Sequence, residues 1–319
     1  MPALKVVVFD AAPGDIIRSS APGLARRRQG QMMLRALLDD LGQVPGIDVI
    51  ASPAPGSLQR RFDAGVQAAD AVWPLAPAAG GMLERLSRQV LRQERILLGS
   101  RPNALRVAAS RLRTARVLAR AGIDVVPTYV PSQPLPPAHG AWVVKPDDGA
   151  DVEDTRIFSS AAAARAWIGN RPQARYVLQP FIPGKLGSLS LLCRNGSAQL
   201  LGCNEHRIAV RDDQFHFLGT TVNSLRDADG AFARLAHAVA GALPGLWGHV
   251  GIDFVLAERG VVVLALHARM TASYAGLHAS IGCNPAAMAL DLLVRPASAV
   301  PLHVKPVAVS VDVAAFGGR

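Results

Sequence analysis

Apolar positions along the first hundred residues change period several times, and each change predicts an element. Residues 4–9 are predicted as a strand whose short apolar run, Val6 to Phe9, stops at Asp10, the pattern of a buried parallel strand. A turn follows at Ala12-Pro13-Gly14. Between 30 and 41, Met33, Leu34, Leu37, Leu38 and Leu41 recur at helical spacing. Further strands are predicted over 47–51, 68–75 and 96–98, with a helix over 81–92 before the last of them. Strand alternating with helix implies a small open parallel sheet, Rossmann-like in organisation.

A helix is predicted over 103–121, closed by Gly122, then an extended run over 123–129 and a proline-rich connector over 131–137. Strands at 141–145 and 175–181 flank an alanine-rich helix at 161–168. Residues 188–193 and 198–204 read as paired strands around Arg194-Asn195-Gly196. A helix over 231–243 precedes strands at 249–256 and 261–266, and the chain after Arg295 is proline-interrupted and extended. No internal repeat is present.

Half of the 319 residues are hydrophobic and 18% are charged, a globular composition with room for two or three domains. Lys and Arg exceed Asp and Glu by ten. That surplus is dispersed and lacks lysine–aromatic interleaving, so it favours an anionic small molecule such as a nucleotide over nucleic acid. Cys193, Cys203 and Cys283 are too widely spaced for a disulfide framework or a zinc site, which implies a reducing cytoplasm. The first apolar run is too short for a signal-peptide core, and no stretch approaches a membrane span.

Three segments carry candidate chemistry. In Trp142-Val143-Val144-Lys145-Pro146-Asp147-Asp148-Gly149-Ala150, a lysine ends an apolar strand and a turn follows. The ammonium suits a phosphate or purine, and the turn can offer N–H groups to phosphate oxygens; the bland alternative is an exposed lysine before a solvated turn. In Val177-Leu178-Gln179-Pro180-Phe181-Ile182-Pro183-Gly184, an extended strand can present backbone groups to an adenine edge, or simply end a sheet. In Gly251-Ile252-Asp253-Phe254 and Leu264-Ala265-Leu266-His267-Ala268-Arg269, Asp253 can hold Mg²⁺ against phosphates, while imidazole suits that ion poorly.

In this order the segments resemble the ATP-grasp superfamily. Within it, the chain looks like the tyramine–glutamate ligase-type proteins of methanofuran and methylofuran synthesis. That likeness is carried by residues 29–40, Asp70-Ala71-Val72-Trp73-Pro74-Leu75-Ala76-Pro77, Gly99-Ser100-Arg101-Pro102, residues 145–157 and 178–192, and Met270-Thr271-Ala272-Ser273-Tyr274-Ala275-Gly276-Leu277. The resemblance implies an α/β fold: a pre-ATP-grasp sheet over 1–100, α+β lobes over 101–178 and 179–295, and an extended tail over 296–319. It implies carboxylate activation as an acyl phosphate, which an amine then attacks. ATP and Mg²⁺ are the implied cofactors, and a homodimer or an active ATP-grasp paralogue the implied protein partner. Lys145, Arg111, Asp148 and Gly149 would contact the nucleotide, and Gln179, Pro180, Phe181 and Ile182 would form the adenine hinge. Asp253 would bind metal; His267 stands at a second ligand position, where a histidine of the core or behind the site is the preferred reading. Arg269 would steady phosphoryl charge, and Ser273 and Tyr274 would lie near the acceptor.

The sequence departs from this pattern at the metal end. The Glu-x-Asn-Pro-Arg usual in the family is matched by Ala265, Leu266, His267, Ala268 and Arg269, so the bridging carboxylate is lost. Asp151 stands where a second loop glycine is usual, and Arg111 where a lysine is usual. Two readings stay open: a ligase that recruits Asp148, Glu153 or Asp154 for its metal, and a non-catalytic homologue that binds nucleotide, substrate or a paralogue.

Overall fold

The computed structural model describes residues 3–11, 21–50, 56–77, 79–136, 140–148, 155–171, 175–295 and 306–313. The predicted turn at 12–14, and Gly149, Ala150, Asp151, Glu153 and Asp154, lie outside these residues.

The N-terminal part is a four-stranded parallel sheet. Strands β1 (Leu4–Asp10), β2 (Ile47–Ile50), β3 (Ala71–Leu75) and β4 (Ile96–Leu97) lie in the order β2-β1-β3-β4. Helices α1 (Ala21–Leu41), α2 (Leu58–Ala68) and α3 (Met82–Arg92) form the crossovers. Helix α2 was not predicted: the strand expected over 68–75 starts at Ala71, because Ala68 still closes a helix capped by Ser57. Val7, Phe9, Phe62, Val66 and Leu86 fill one side of the sheet. Val6, Val8, Leu37, Leu41 and Trp73 fill the other, in one core with Tyr274, Leu277 and Ile281 from far along the chain.

The single helix predicted over 103–121 is two: α4 (Pro102–Ala108) and α5 (Arg111–Arg120). Ser110 breaks them with an extended backbone (φ −122°, ψ 121°) and caps α5 by accepting from Arg113 N. Helical periodicity is blind to this break, because both halves keep their apolar faces inward.

The rest builds a nine-stranded sheet. Its strands are β5 (Trp142–Pro146), β6 (Arg156–Phe158), β7 (Tyr176–Pro180), β8 (Lys185–Arg194), β9 (Ser197–Arg211), β10 (Gln214–Val222), β11 (Gly248–Ala257), β12 (Gly260–His267) and β13 (Val309–Asp312). The order is β12-β11-β8-β9-β10-β6-β5-β7, with β13 also on β10. One pair, Gln214 with Arg156, joins β10 to β6, so a narrow seam connects the β5–β7 lobe to the larger one. Helix α6 (Ala161–Gly169) covers the small lobe through Ala164, and α7 (Ala231–Ala242) covers the large one through Phe232, Ala236 and Val239. Helices α8 (Tyr274–Ile281) and α9 (Pro285–Asp291) seat the large lobe against α1.

Strands β6 and β10, the second half of β9, and α8 and α9 were not predicted. The β9–β10 turn is Asp212-Asp213, both at positive φ, a hairpin without the usual glycine signal. No helix among the described residues is long and apolar enough to cross a membrane.

Candidate functional site

A cavity of about 440 Å³ opens between the two lobes, a size that suits a nucleotide-sized ligand. Its walls are mostly apolar, with Val143, Ile182, Phe215, Phe217 and Leu264 among them. Its charged end gathers Arg111, Lys145, Asp253 and Arg269 with the imidazoles of His206 and His267.

Each of these side chains is placed by a nameable local feature. Lys145 follows the buried run Trp142, Val143 and Val144 and emerges, half-buried, where β5 leaves the sheet. Burial, and then the Arg111 guanidinium, push its pKa down to about 7 against the opposing pull of Asp253. Arg111 is held by the α4–α5 break. Asp147 accepts from Ser110 Oγ (2.9 Å) and from Leu112 N (2.9 Å), while its carbonyl accepts from Arg111 N (3.0 Å). The carboxylate thereby also complements the positive end of α5. The first turn of that helix is pinned to the end of β5, beside Lys145.

Asp253 lies on β11 opposite Ala265 of β12 and opposite Ser188 of β8. His267 stands two residues beyond Ala265, on the same face, and its Nε2 lies 2.8 Å from Asp253 Oδ2. His206 reaches the other oxygen from β9, on the far side of β8, Nε2 to Oδ1 3.4 Å. Burial acts to raise the Asp253 pKa, but the two imidazoles outweigh it and hold the carboxyl well below the usual range. His206 Nδ1 is buried without a hydrogen-bond partner among the described residues. Sequence reasoning missed His206; its signal was the alternation Phe215, Phe217 on a following strand, which implies a longer hairpin.

Gln179, Pro180, Phe181 and Ile182 all line the cavity. Gln179 is buried and its amide donates to Thr128 Oγ1 (2.9 Å), so its side chain serves the wall. Phe181 N bonds Ala141 O (2.8 Å). Ser273 also lines the cavity, with its hydroxyl 2.9 Å from both Ser190 Oγ and Thr271 Oγ1. Tyr274 is not among the lining residues: its hydroxyl donates to Asp40 Oδ2 (2.9 Å) in the interface with α1. Asp148 is exposed and pairs with Ser110 rather than lining the cavity.

Magnesium prefers an octahedron of oxygens. Asp253 is the one carboxylate among the described lining residues, and both its oxygens face imidazoles. No group of three His, Cys, Asp or Glu among the described residues is arranged to hold a metal ion.

Comparison with known proteins agrees with this architecture. A family model for the ATP-grasp domain matches residues 108–273, and one for a pre-ATP-grasp domain matches residues 32–105. No curated protein matches the chain significantly. Among solved structures, an ATP-grasp superfamily protein from Archaeoglobus fulgidus superposes with TM-score 0.71 at 20% identity, covering 91% of this chain and 88% of its own. An L-amino acid ligase from Bacillus licheniformis gives 0.66 at 13%, covering 96% and 78%. The ATP complex of D-alanine–D-alanine ligase from Bacillus anthracis gives 0.61 at 13%, covering 83% and 86%. With the parallel sheet in front, two lobes behind and the cavity between them, the chain belongs to the ATP-grasp family.

Proposed function

We propose that the cavity is a nucleotide cleft and that the protein is a carboxylate–amine ligase of the ATP-grasp type. One observation carries the reading: three segments distant in sequence, contributing Lys145, Ile182 and Arg269, line one cavity of about 440 Å³. In this reading the apolar wall beside Phe181 and Ile182 holds the adenine. Lys145 and Arg111 hold the phosphates at the opposite end.

The chemistry is the transfer of the γ-phosphoryl group to a carboxylate oxygen, with cleavage of the Pβ–O–Pγ link and release of ADP. An amine nitrogen then attacks the acyl carbon, inorganic phosphate leaves, and the amine loses a proton. Arg269 supports the charge on the transferring group. The cavity wall at Thr271, Ala272 and Ser273 borders the carboxylate. The likeness to tyramine–glutamate ligase-type proteins makes glutamate and tyramine the first substrate pair to assay.

A second reading is favoured by Ala265 and by the imidazoles on Asp253: a homologue that binds nucleotide without turnover and acts on a partner subunit. Hydroxylamine trapping separates the two, because it converts an acyl phosphate to a stable hydroxamate. ATP-dependent hydroxamate with glutamate is expected for the ligase. ATP binding with neither hydroxamate nor ADP, across a carboxylate panel, selects the second reading. A folded chain that binds no nucleotide refutes both.

A further inference from the structure

The charged end of the cavity has an unusual balance for a site that handles phosphates with a metal ion. Three side chains with cationic groups, Arg111, Lys145 and Arg269, line it against a single carboxylate among the described residues. That carboxylate is flanked on both sides by nitrogen. His267 Nε2 is 2.8 Å from one oxygen of Asp253 and His206 Nε2 is 3.4 Å from the other. The position facing Asp253 on the next strand is Ala265, which offers no oxygen to an ion between the strands. Hard divalent ions need several oxygen ligands, and an imidazole replaces them poorly.

Such a balance suits a bare polyanion. A guanidinium beside a lysine presents cationic donors from which the oxygens of one phosphate chain can accept together. Burial first, and Arg111 second, lower the Lys145 pKa to about 7, and a polyanion beside it favours the ammonium again. A bare phosphate chain brings more negative charge to these groups than a metal–phosphate complex does.

We propose that this cleft binds the polyphosphate of its nucleotide without a divalent cation: Arg111, Lys145 and Arg269 supply the neutralising charge, and the His206–Asp253–His267 cluster occupies the ion's place. The inference rests on the nucleotide reading of the cavity, and it differs from the family's usual dependence on magnesium.

The test is calorimetric titration of the full chain with ATP and, separately, with inorganic tripolyphosphate, each in EDTA and in excess Mg²⁺ or Mn²⁺. Expected is binding of both ligands in EDTA, with Mg²⁺ leaving the affinity unchanged or weaker. A tightening of about tenfold or more by either ion, equivalent to about 1.4 kcal/mol, overturns the proposal while leaving the nucleotide site standing. Tripolyphosphate binding in EDTA without ATP binding supports the cation-independent anion site and sinks the nucleotide reading. Absence of binding by either ligand under both conditions sinks both. The double variant Ala265→Glu/His267→Asn restores two oxygen ligands and is expected to make ATP binding Mg²⁺-dependent. If that variant does not fold, the comparison on the unaltered protein still decides.

Discussion

Lys145 is the residue at which burial, charge and ligand binding meet. Its folded-state pKa of about 7 lies below the ordinary value of 10.5. Between those values the unfolded chain binds the extra proton, so this group makes stability rise with pH from about 7 towards 10.5. Lys145→Met is expected to flatten that part of the stability–pH profile, measured by denaturant unfolding at several pH values. The same residue predicts the pH dependence of binding. A bound polyanion favours the ammonium, so nucleotide affinity should rise as pH falls through 7, with proton uptake seen by titration in buffers of different ionisation enthalpy. Lys145→Ala should weaken binding by about 1.5–3 kcal/mol and abolish that uptake. Unchanged affinity in the folded variant would remove Lys145 from the site.

At the level of elements, the α4–α5 break positions Arg111. Ser110 Oγ both caps α5 and donates to Asp147, while Asp147 also accepts from Leu112 N. Removing the hydroxyl leaves the Arg113 N–H without its cap and the Asp147 carboxylate with one partner fewer. Ser110→Ala should therefore cost about 1–2 kcal/mol of stability, read from the shift of the urea midpoint. Because the turn also anchors Arg111 beside Lys145, the variant should weaken nucleotide binding as well. A stability loss with intact affinity would mean that Arg111 is held by other contacts.

Across the whole molecule, the N-terminal sheet and the large lobe share one core and a polar clasp. Asp40 of α1 is buried and receives Tyr274 Oη (2.9 Å) and His278 Nδ1 (2.5 Å), and its carbonyl accepts from Asn284 Nδ2 (2.8 Å). Asp40→Ala strands the Tyr274 hydroxyl in the interface and should cost about 1–3 kcal/mol. One cooperative unfolding transition is expected to persist, since the apolar core still joins the parts; two separated transitions would show that the clasp itself couples them. Nearby, His249 Nε2 donates to Pro285 O (2.9 Å), and the ring packs edge-on to Tyr274 and stacks near Trp73. Burial lowers its pKa to about 4, although the bond to Pro285 acts the other way. The unfolded chain therefore binds the extra proton between about 6.5 and 4. Stability should fall as pH drops through that window, and His249→Phe should reduce the loss.

Much of the fold is legible in local pattern. The apolar runs before Asp10, Lys145 and Leu256, and the helical spacing over 81–92, determine their elements because period and burial are properties of neighbouring residues. The strand patterns over 141–145, 175–181 and 249–256 carry Lys145, Gln179 and Asp253, residues that the folded chain sets along the cavity. What pattern cannot convey is partnership between distant residues. Asp147 and Ser110 are 37 positions apart, Asp253 and His206 are 47 apart, and Tyr274 and Asp40 are 234 apart. Those pairings divided a predicted helix, added a second imidazole to the expected metal carboxylate, and turned Tyr274 towards Asp40 rather than the cavity. They depend on strand register and on how two packed bodies meet, which only the folded chain decides, because no local preference distinguishes a polar side chain bound for a cavity from one bound for an interface.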